Sequence, residues 1–193
     1  MNASCGGCLL GRPAGGFRDE FWLNINTSVP GTSPNTGQTQ TGQQFILDQL
    51  AARLARARAA GVDAVEFDNL DACQNKTGLA ISAAAQEQFG AAAASLAHAT
   101  GFAAGLKNDL GQAGDLRPYF GFAITEQCWR YRECTVPAPG LHAWPAAYGK
   151  AVFNADYQPA AAKFRPQANS ASYNFNSILK DANLYDIPHT PCR

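Results

Sequence analysis

The sequence predicts an α/β fold built on a parallel sheet or a barrel. Short apolar segments alternate with helical ones along the chain, which is the pattern of repeated strand–helix units. Polar and charged residues gather where the apolar segments stop, as in "VEFDNLDACQNKTG" (65–78). The length of 193 residues, with 46% apolar and 16% charged residues, suits one soluble domain with a sizeable core.

The elements follow in order. "FWLNI" (21–25) reads as a strand. The stretch 27–44 is almost wholly polar, Gly or Pro; with nothing to bury, it is expected to be a mobile loop. From Phe45 to Ala60 the pattern turns helical, with Ile46, Leu50 and Leu54 on one face and Gly61 closing the helix. "VDAVEFD" (62–68) is the next strand. Ser82 can cap an Ala-rich helix that runs to about Thr100 and ends at Gly101. "FAAGLKND" (102–109), "YFGFAITEQ" (119–127) and "KAVFNADY" (150–157) are three more strands, and a Cys-flanked loop follows the second of these. The tail "NSILKDANLY" holds a further short strand or a final helix. Neither a repeat nor a linker interrupts the chain, so residues 1–193 read as a single domain.

Bulk properties exclude several function classes. Fifteen basic residues balance fifteen acidic ones, so no global field favours nucleic acid or an anionic membrane. No apolar run approaches the roughly 20 residues of a membrane span. The six cysteines permit disulfides. Cys5 and Cys8 form a C-x-x-C with no second pair at zinc-ribbon spacing, and read as ordinary or disulfide-bonded thiols. The sequons at Asn2, Asn26 and Asn75 matter only in a secretory pathway, and the first residues show no readable signal peptide.

The chemistry is expected at the carboxyl ends of the strands, where parallel α/β folds place their sites. Asp68 and Asn69 end one strand, Lys107, Asn108 and Asp109 the next, Glu126 and Gln127 the third, Asp156 and Tyr157 the fourth. Glu66 shares a strand face with Asp68 and needs a cationic partner, for which Lys107 is the candidate. That pair is either a buried structural ion pair or part of the site. Two carboxylates across a cleft are the minimum apparatus for glycoside hydrolysis, although strand-end acids also cap helices or hold metals. A metal-dependent hydrolase is the weaker reading, because His98, His142 and His189 lie far from the strand ends that carry the acids.

Five motifs, in order, resemble family 114 of the glycoside hydrolases, the endo-α-1,4-polygalactosaminidases. They are "DEFWLNI" (19–25), "GVDAVEFDNLDACQNKTG" (61–78), "GLKNDLGQ" (105–112), "EQCWRYREC" (126–134) and "GKAVFNADY" (149–157). The resemblance implies a TIM-type (β/α)8 barrel that cleaves α-1,4-linked galactosamine polymers without a cofactor or metal, in an extracellular setting. Carried over by position, Asp68 is the nucleophile and Glu126 the general acid/base. By the same alignment Asn69, Asp71, Lys107, Asp109 and Tyr157 fall in the substrate cleft, where the local chemistry also places Trp129 and Asp156, and the family pattern pairs Cys128 and Cys134 as a disulfide. The acids would form an anionic floor for a polycationic sugar chain, and Trp129, Tyr131 and Tyr157 would offer ring faces. The chain begins near the family's third strand, so the implied barrel is incomplete, with exposed edges near "FWLNI" and near the C-terminal end. Cys73 replaces a usual aromatic and Asp156 a more usual glutamate. Retaining chemistry would set the carboxyl groups about 5–5.5 Å apart, inverting chemistry roughly 6.5–9.5 Å. Of the two, Glu126 is expected to hold its proton more firmly.

Overall fold

A computed structural model describes residues 9–15, 19–135, 140–141, 143–157, 173–180 and 190–191. The expectations placed on Asn2, Cys5, Cys8, His142, His189 and Cys192 lie outside the described residues. The chain divides into two compact units: Met1–Val65 with Leu70–Phe102, and Glu66–Asn69 with Ala103–Arg193.

In the first unit, β1 (Leu10–Pro13) pairs antiparallel with β2 (Phe21–Leu23), Leu10 opposite Leu23. "FWL" is therefore one arm of a hairpin and not a strand of the parallel sheet. Leu23 turns instead to a small core of Leu9, Val29 and Phe45. The expected mobile loop is also ordered. β3 (Ser28–Thr32) pairs antiparallel with β4 (Thr39–Thr41). Its turn closes on Ser33 Oγ, which accepts the backbone N–H groups of Asn35 and Thr36, both at 3.2 Å. Asp48, buried, accepts amide N–H groups from Asn35 (2.7 Å), Gln44 (2.9 Å) and Gln40 (3.2 Å). Burial makes its charge costly, yet these bonds and that of Ser33 hold its carboxyl below the usual range. Hydrogen bonds here do what apolar burial could not.

Thr41 Oγ1 accepts from Gln44 N at 3.1 Å and caps α1 (Gly42–Ala59), which starts a turn earlier than its apolar pattern suggests. Ser82 caps α2 (Ala83–Ala99) in the same way, and Gly101, at φ 87°, ends it as predicted. Phe89, Ala93, Ala94 and Ala97 are the buried stripe of α2, which packs on α1.

The main sheet, which apart from Ala64 and Val65 belongs to the second unit, is β5 (Ala64–Phe67), β6 (Ala103–Lys107), β7 (Phe122–Glu126), β8 (Val152–Tyr157), β9 (Asn176–Lys180) and β10 (Thr190–Pro191), hydrogen-bonded in that order. β6 to β9 run parallel, and β10 is antiparallel to β9. Asn176–Lys180 of the tail is thus a strand. Short helices follow β6 and β7: α3 (Ala113–Leu116) and α4 (Cys128–Tyr131), with α5 (Ala143–Tyr148) leading into β8. The fold is α/β, with barrel-type strand order. Among the described residues the order is linear and the barrel stays open, so its edge strands are β5 and β10. The sequence placed one of them at "FWLNI".

Alternation along the strands assigns the two faces of this sheet. Register pairs Gly105 with Phe122, Lys107 with Ile124, and Glu126 with Ala155. Gly105, Lys107, Phe122, Ile124, Glu126, Phe153, Ala155 and Tyr157 therefore share one face, and Leu106, Ala123, Thr125, Val152, Asn154 and Asp156 the other. All six residues of the second group are buried. On the first, the rings of Phe122 and Phe153 meet edge to face at 6.1 Å. A Cβ on Gly105 would lie 2.3 Å from the Phe122 ring, so only glycine lets that ring lie flat across β6.

Candidate active site

Lys107 organises the site. Its Nζ lies 3.3 Å from Asp68 Oδ1 and 3.1 Å from Glu126 Oε2. Those two oxygens are therefore at most roughly 6.4 Å apart, the sum of the 3.3 Å and 3.1 Å contacts. Tyr157, one strand further on, donates its hydroxyl to Glu126 Oε1. Both oxygens of Glu126 are thus engaged, one by a phenol and one by an ammonium. Asp68 is more exposed, with Oδ1 also accepting the Asn69 N–H at 3.0 Å.

The electrostatics follow from these contacts. Burial works to raise the Glu126 pKa, but the bonds from Tyr157 and Lys107 and the lysine's charge outweigh it and hold Glu126 below the ordinary carboxylate range. Burial likewise opposes the charge on Lys107, yet Glu126 and Asp68 raise its pKa above the usual value. Burial raises the Tyr157 pKa, and the hydrogen bond that its hydroxyl donates to Glu126 raises it further. Against the expectation that Glu126 holds its proton, two donors favour its ionised form.

Lys107 does not take Glu66 as its close partner; its short contacts go to the carboxylates at the strand ends, where its long stem carries the ammonium. Glu66 is exposed on β5. The protein packed about its carboxyl, together with the charges of Asp68 and Glu126, raises its pKa against the pull of Lys107.

Other residues expected in the cleft are sorted by strand face. Asp156 is fully buried, on the face opposite Tyr157. Its Oδ1 accepts the Arg130 N–H at 3.2 Å and its Oδ2 the Asn154 amide at 2.8 Å. Together with a bond from the Trp129 N–H, this makes Asp156 the acceptor for the first turn of α4, the helix that follows Glu126. Trp129 is buried too. Its ring packs against Tyr173 (5.5 Å) and Phe175 (5.6 Å), and its Nε1 donates to Ser177 Oγ at 3.3 Å. It is a core residue and not a platform for sugar, because a tryptophan with its N–H satisfied inside gains most from burial. Asp109 is 2% exposed, and Asp71 belongs to the first unit, where its carbonyl accepts from the Asn75 side chain at 3.0 Å. Of the acids expected to form an anionic floor, Asp68 and Glu126 share the Lys107 ammonium, with Glu66 beside them. Tyr157 remains on the site face, and Tyr131 stays exposed on α4. Cys128 and Cys134 form the expected disulfide, closing α4 into a loop. His98 sits at the end of α2, its Nδ1 3.1 Å from the Phe102 carbonyl.

Two features escaped the sequence reading. Asn69, Asn108, Asp109 and Gln127, each just past a strand end, have positive φ. Asn108 also accepts the Glu126 N–H through its side-chain oxygen, at 3.0 Å. The signal was present: asparagine and aspartate enter left-handed backbone more readily than other non-glycine residues.

A family model for glycoside-hydrolase family GH114 matches residues 7–193. The chain belongs to glycoside-hydrolase family GH114. In structure it is similar to Aspergillus fumigatus Ega3 in complex with galactosamine, at a TM-score of 0.75 and 27% identity, over 100% of this chain and 70% of that one. It also shares its fold with a variant of the glycoside hydrolase domain of PelA from Pseudomonas aeruginosa, at a TM-score of 0.55 and 15% identity, over 94% of this chain and 71% of that one. No curated protein matches this chain. Among the described residues, no helix is long and apolar enough to cross a membrane.

Proposed function

We propose that this GH114 chain hydrolyses α-1,4-linked galactosamine polymers with Asp68 and Glu126 as its two carboxylates. The observation that carries the reading is the single ammonium of Lys107 held between both acids at the strand ends. One cation bridging both acids brings them to a single sugar ring, and a retaining, double-displacement course is the reading tested below.

In the first step an Asp68 oxygen bonds to the anomeric carbon as the glycosidic C–O bond breaks. Glu126 passes its proton to the departing oxygen. In the second, Glu126 takes a proton from water, the water oxygen bonds to the anomeric carbon, and the bond to Asp68 breaks. Lys107 and Tyr157 steady the carboxylates between steps. Because they favour the ionised form of Glu126, the acid form needed for the first step gains population as pH falls. An amine-bearing sugar suits the charge balance, since Asp68, Glu126 and Glu66 surround one lysine. The galactosamine in the Ega3 complex supports the same sugar. The disulfide supports work in an oxidising, extracellular setting.

Incubating the purified chain with the polymer should release oligosaccharides that keep the α-configuration in their first-formed product by NMR. Binding without release would instead favour an inactive amino-sugar-binding relative, and first-formed β-product would favour inversion.

A further inference from the structure

Resting on that reading, we infer that Asn108 is a positioning residue for Glu126, acting through the backbone of β7 and not through the sugar. β6 ends at Lys107 and β7 runs on to Glu126. The strand ladder would ordinarily need another β6 residue to receive the Glu126 N–H. Instead the chain swings to φ 51° at Asn108, and the side chain takes over the acceptor's place. Asn108 N–H donates to Ile124 O at 2.9 Å, while Asn108 Oδ1 accepts from Glu126 N at 3.0 Å. One residue thus grips β7 on both sides of Thr125 and fixes the Cα from which the Glu126 carboxyl projects.

The conformation and the contact select the residue type together. Left-handed backbone at 108, followed by another left-handed residue at Asp109 (φ 44°), favours Gly, Asn or Asp. Of these, glycine cannot accept the Glu126 N–H. Lys107 and Tyr157 then grip the far end of the same side chain, so the acid is clamped at its backbone and at both carboxyl oxygens. Freed at the backbone, the carboxyl would drift by fractions of an ångström, which costs rate far more than affinity.

Asn108→Gly separates the contact from the backbone conformation, since it keeps the turn and deletes the acceptor. We expect kcat on the galactosamine polymer to fall about tenfold, with KM within about twofold of the parent. Asn108→Asp, which retains an acceptor oxygen, should recover most of the loss. Amide hydrogen exchange at Glu126 reads the contact without catalysis: it should speed about tenfold in Asn108→Gly, with Leu106 unchanged. Glycine and aspartate variants equal in kcat, or Glu126 exchange unchanged in the glycine variant, would overturn the inference. Glu126→Gln is the control on the reading beneath it. If that variant cleaves normally, the assignment of Glu126 fails whatever Asn108 does. If it is inactive while Asn108→Gly is normal, only the role of Asn108 falls.

Discussion

Asp156 and Tyr157 are neighbours in the chain and inhabit opposite faces of β8. Tyr157 reaches Glu126 on the site face; Asp156 is sealed on the other and holds the first turn of α4. The same division runs across the sheet. On one face, charged groups pair with each other at the strand ends, partly open to solvent. On the other, Thr125, Asn154 and Asp156 are buried among apolar side chains. The contrast teaches that a strand-end acid has two fates, chemistry or support, and that its parity along the strand decides between them.

The widest separation of the two faces should appear in Asp68→Asn and Glu126→Gln. Each should lower kcat by at least about a thousandfold, as expected when a nucleophile or a general acid is lost. Thermal melts and polymer binding should stay close to the parent. Measurable turnover within tenfold of the parent in either variant would break the assignment.

Removing the ammonium should come next. Lys107→Met leaves two carboxylates facing each other without their shared cation, and kcat/KM should fall about 10- to 100-fold. Glu126 loses one of the two donors that favour its ionised form. Its pKa should therefore rise, and the alkaline limb of the pH–rate profile should move to higher pH. An unmoved limb would show that Lys107 does not tune the acid.

Changes beneath the covered face should cost stability before chemistry. Replacing Cys128 and Cys134 by serine opens a loop with a sequence separation of 6. Chain entropy puts the loss at about 2 kcal/mol, readable by denaturant titration. A double-serine variant as stable as the parent would show that α4 is held by Asp156 and the Trp129 core alone.

The smallest effect is a difference in sign. Glu126 has a lowered pKa in the folded chain, so its contribution to stability is present above the unfolded value and is lost as pH falls through the folded one. Asp156 is raised, first by burial and against the bonds from Asn154, Arg130 and Trp129. Its cost therefore grows as pH climbs from the ordinary 3.8 toward the raised folded value. Glu126→Gln should lessen acid destabilisation, whereas Asp156→Asn should flatten the fall in stability on the way up. Parallel stability–pH curves for the two variants would contradict the division into faces.

Much of this was legible in the sequence, and the gaps have physical causes. The parallel strands, the two ends of α2 and the gathering of acids at strand ends follow from apolar runs, Ser82, Gly101 and period-two spacing. What was missed rests on polar bonding that apolar pattern does not register. Residues 28–41 look like loop because their order comes from Ser33 and Asp48 collecting amide donors. "FWL" looks like a sheet strand because a hairpin arm has the same local composition; only Leu10 opposite Leu23 shows otherwise. Trp129 and Asp156 look like cleft residues because motif position tells where a residue falls in the chain, not which way its side chain turns. The resemblance located the acids, and the strand register separated them from their supports.

Gly105 and Phe122 share a single allotment of space on the site face, beneath the acids. A methyl group added at 105 has nowhere to go while the ring stays, since the nearest ring carbon would be 2.3 Å away. The two positions are therefore exchangeable only together: a side chain can enter at 105 if the one at 122 shrinks. A mutagenesis library that varies either site alone should recover almost nothing but the parent residue at 105. A library that varies both should recover swapped pairs, giving an engineer one adjustable wall on this face of the sheet without touching the strand ends.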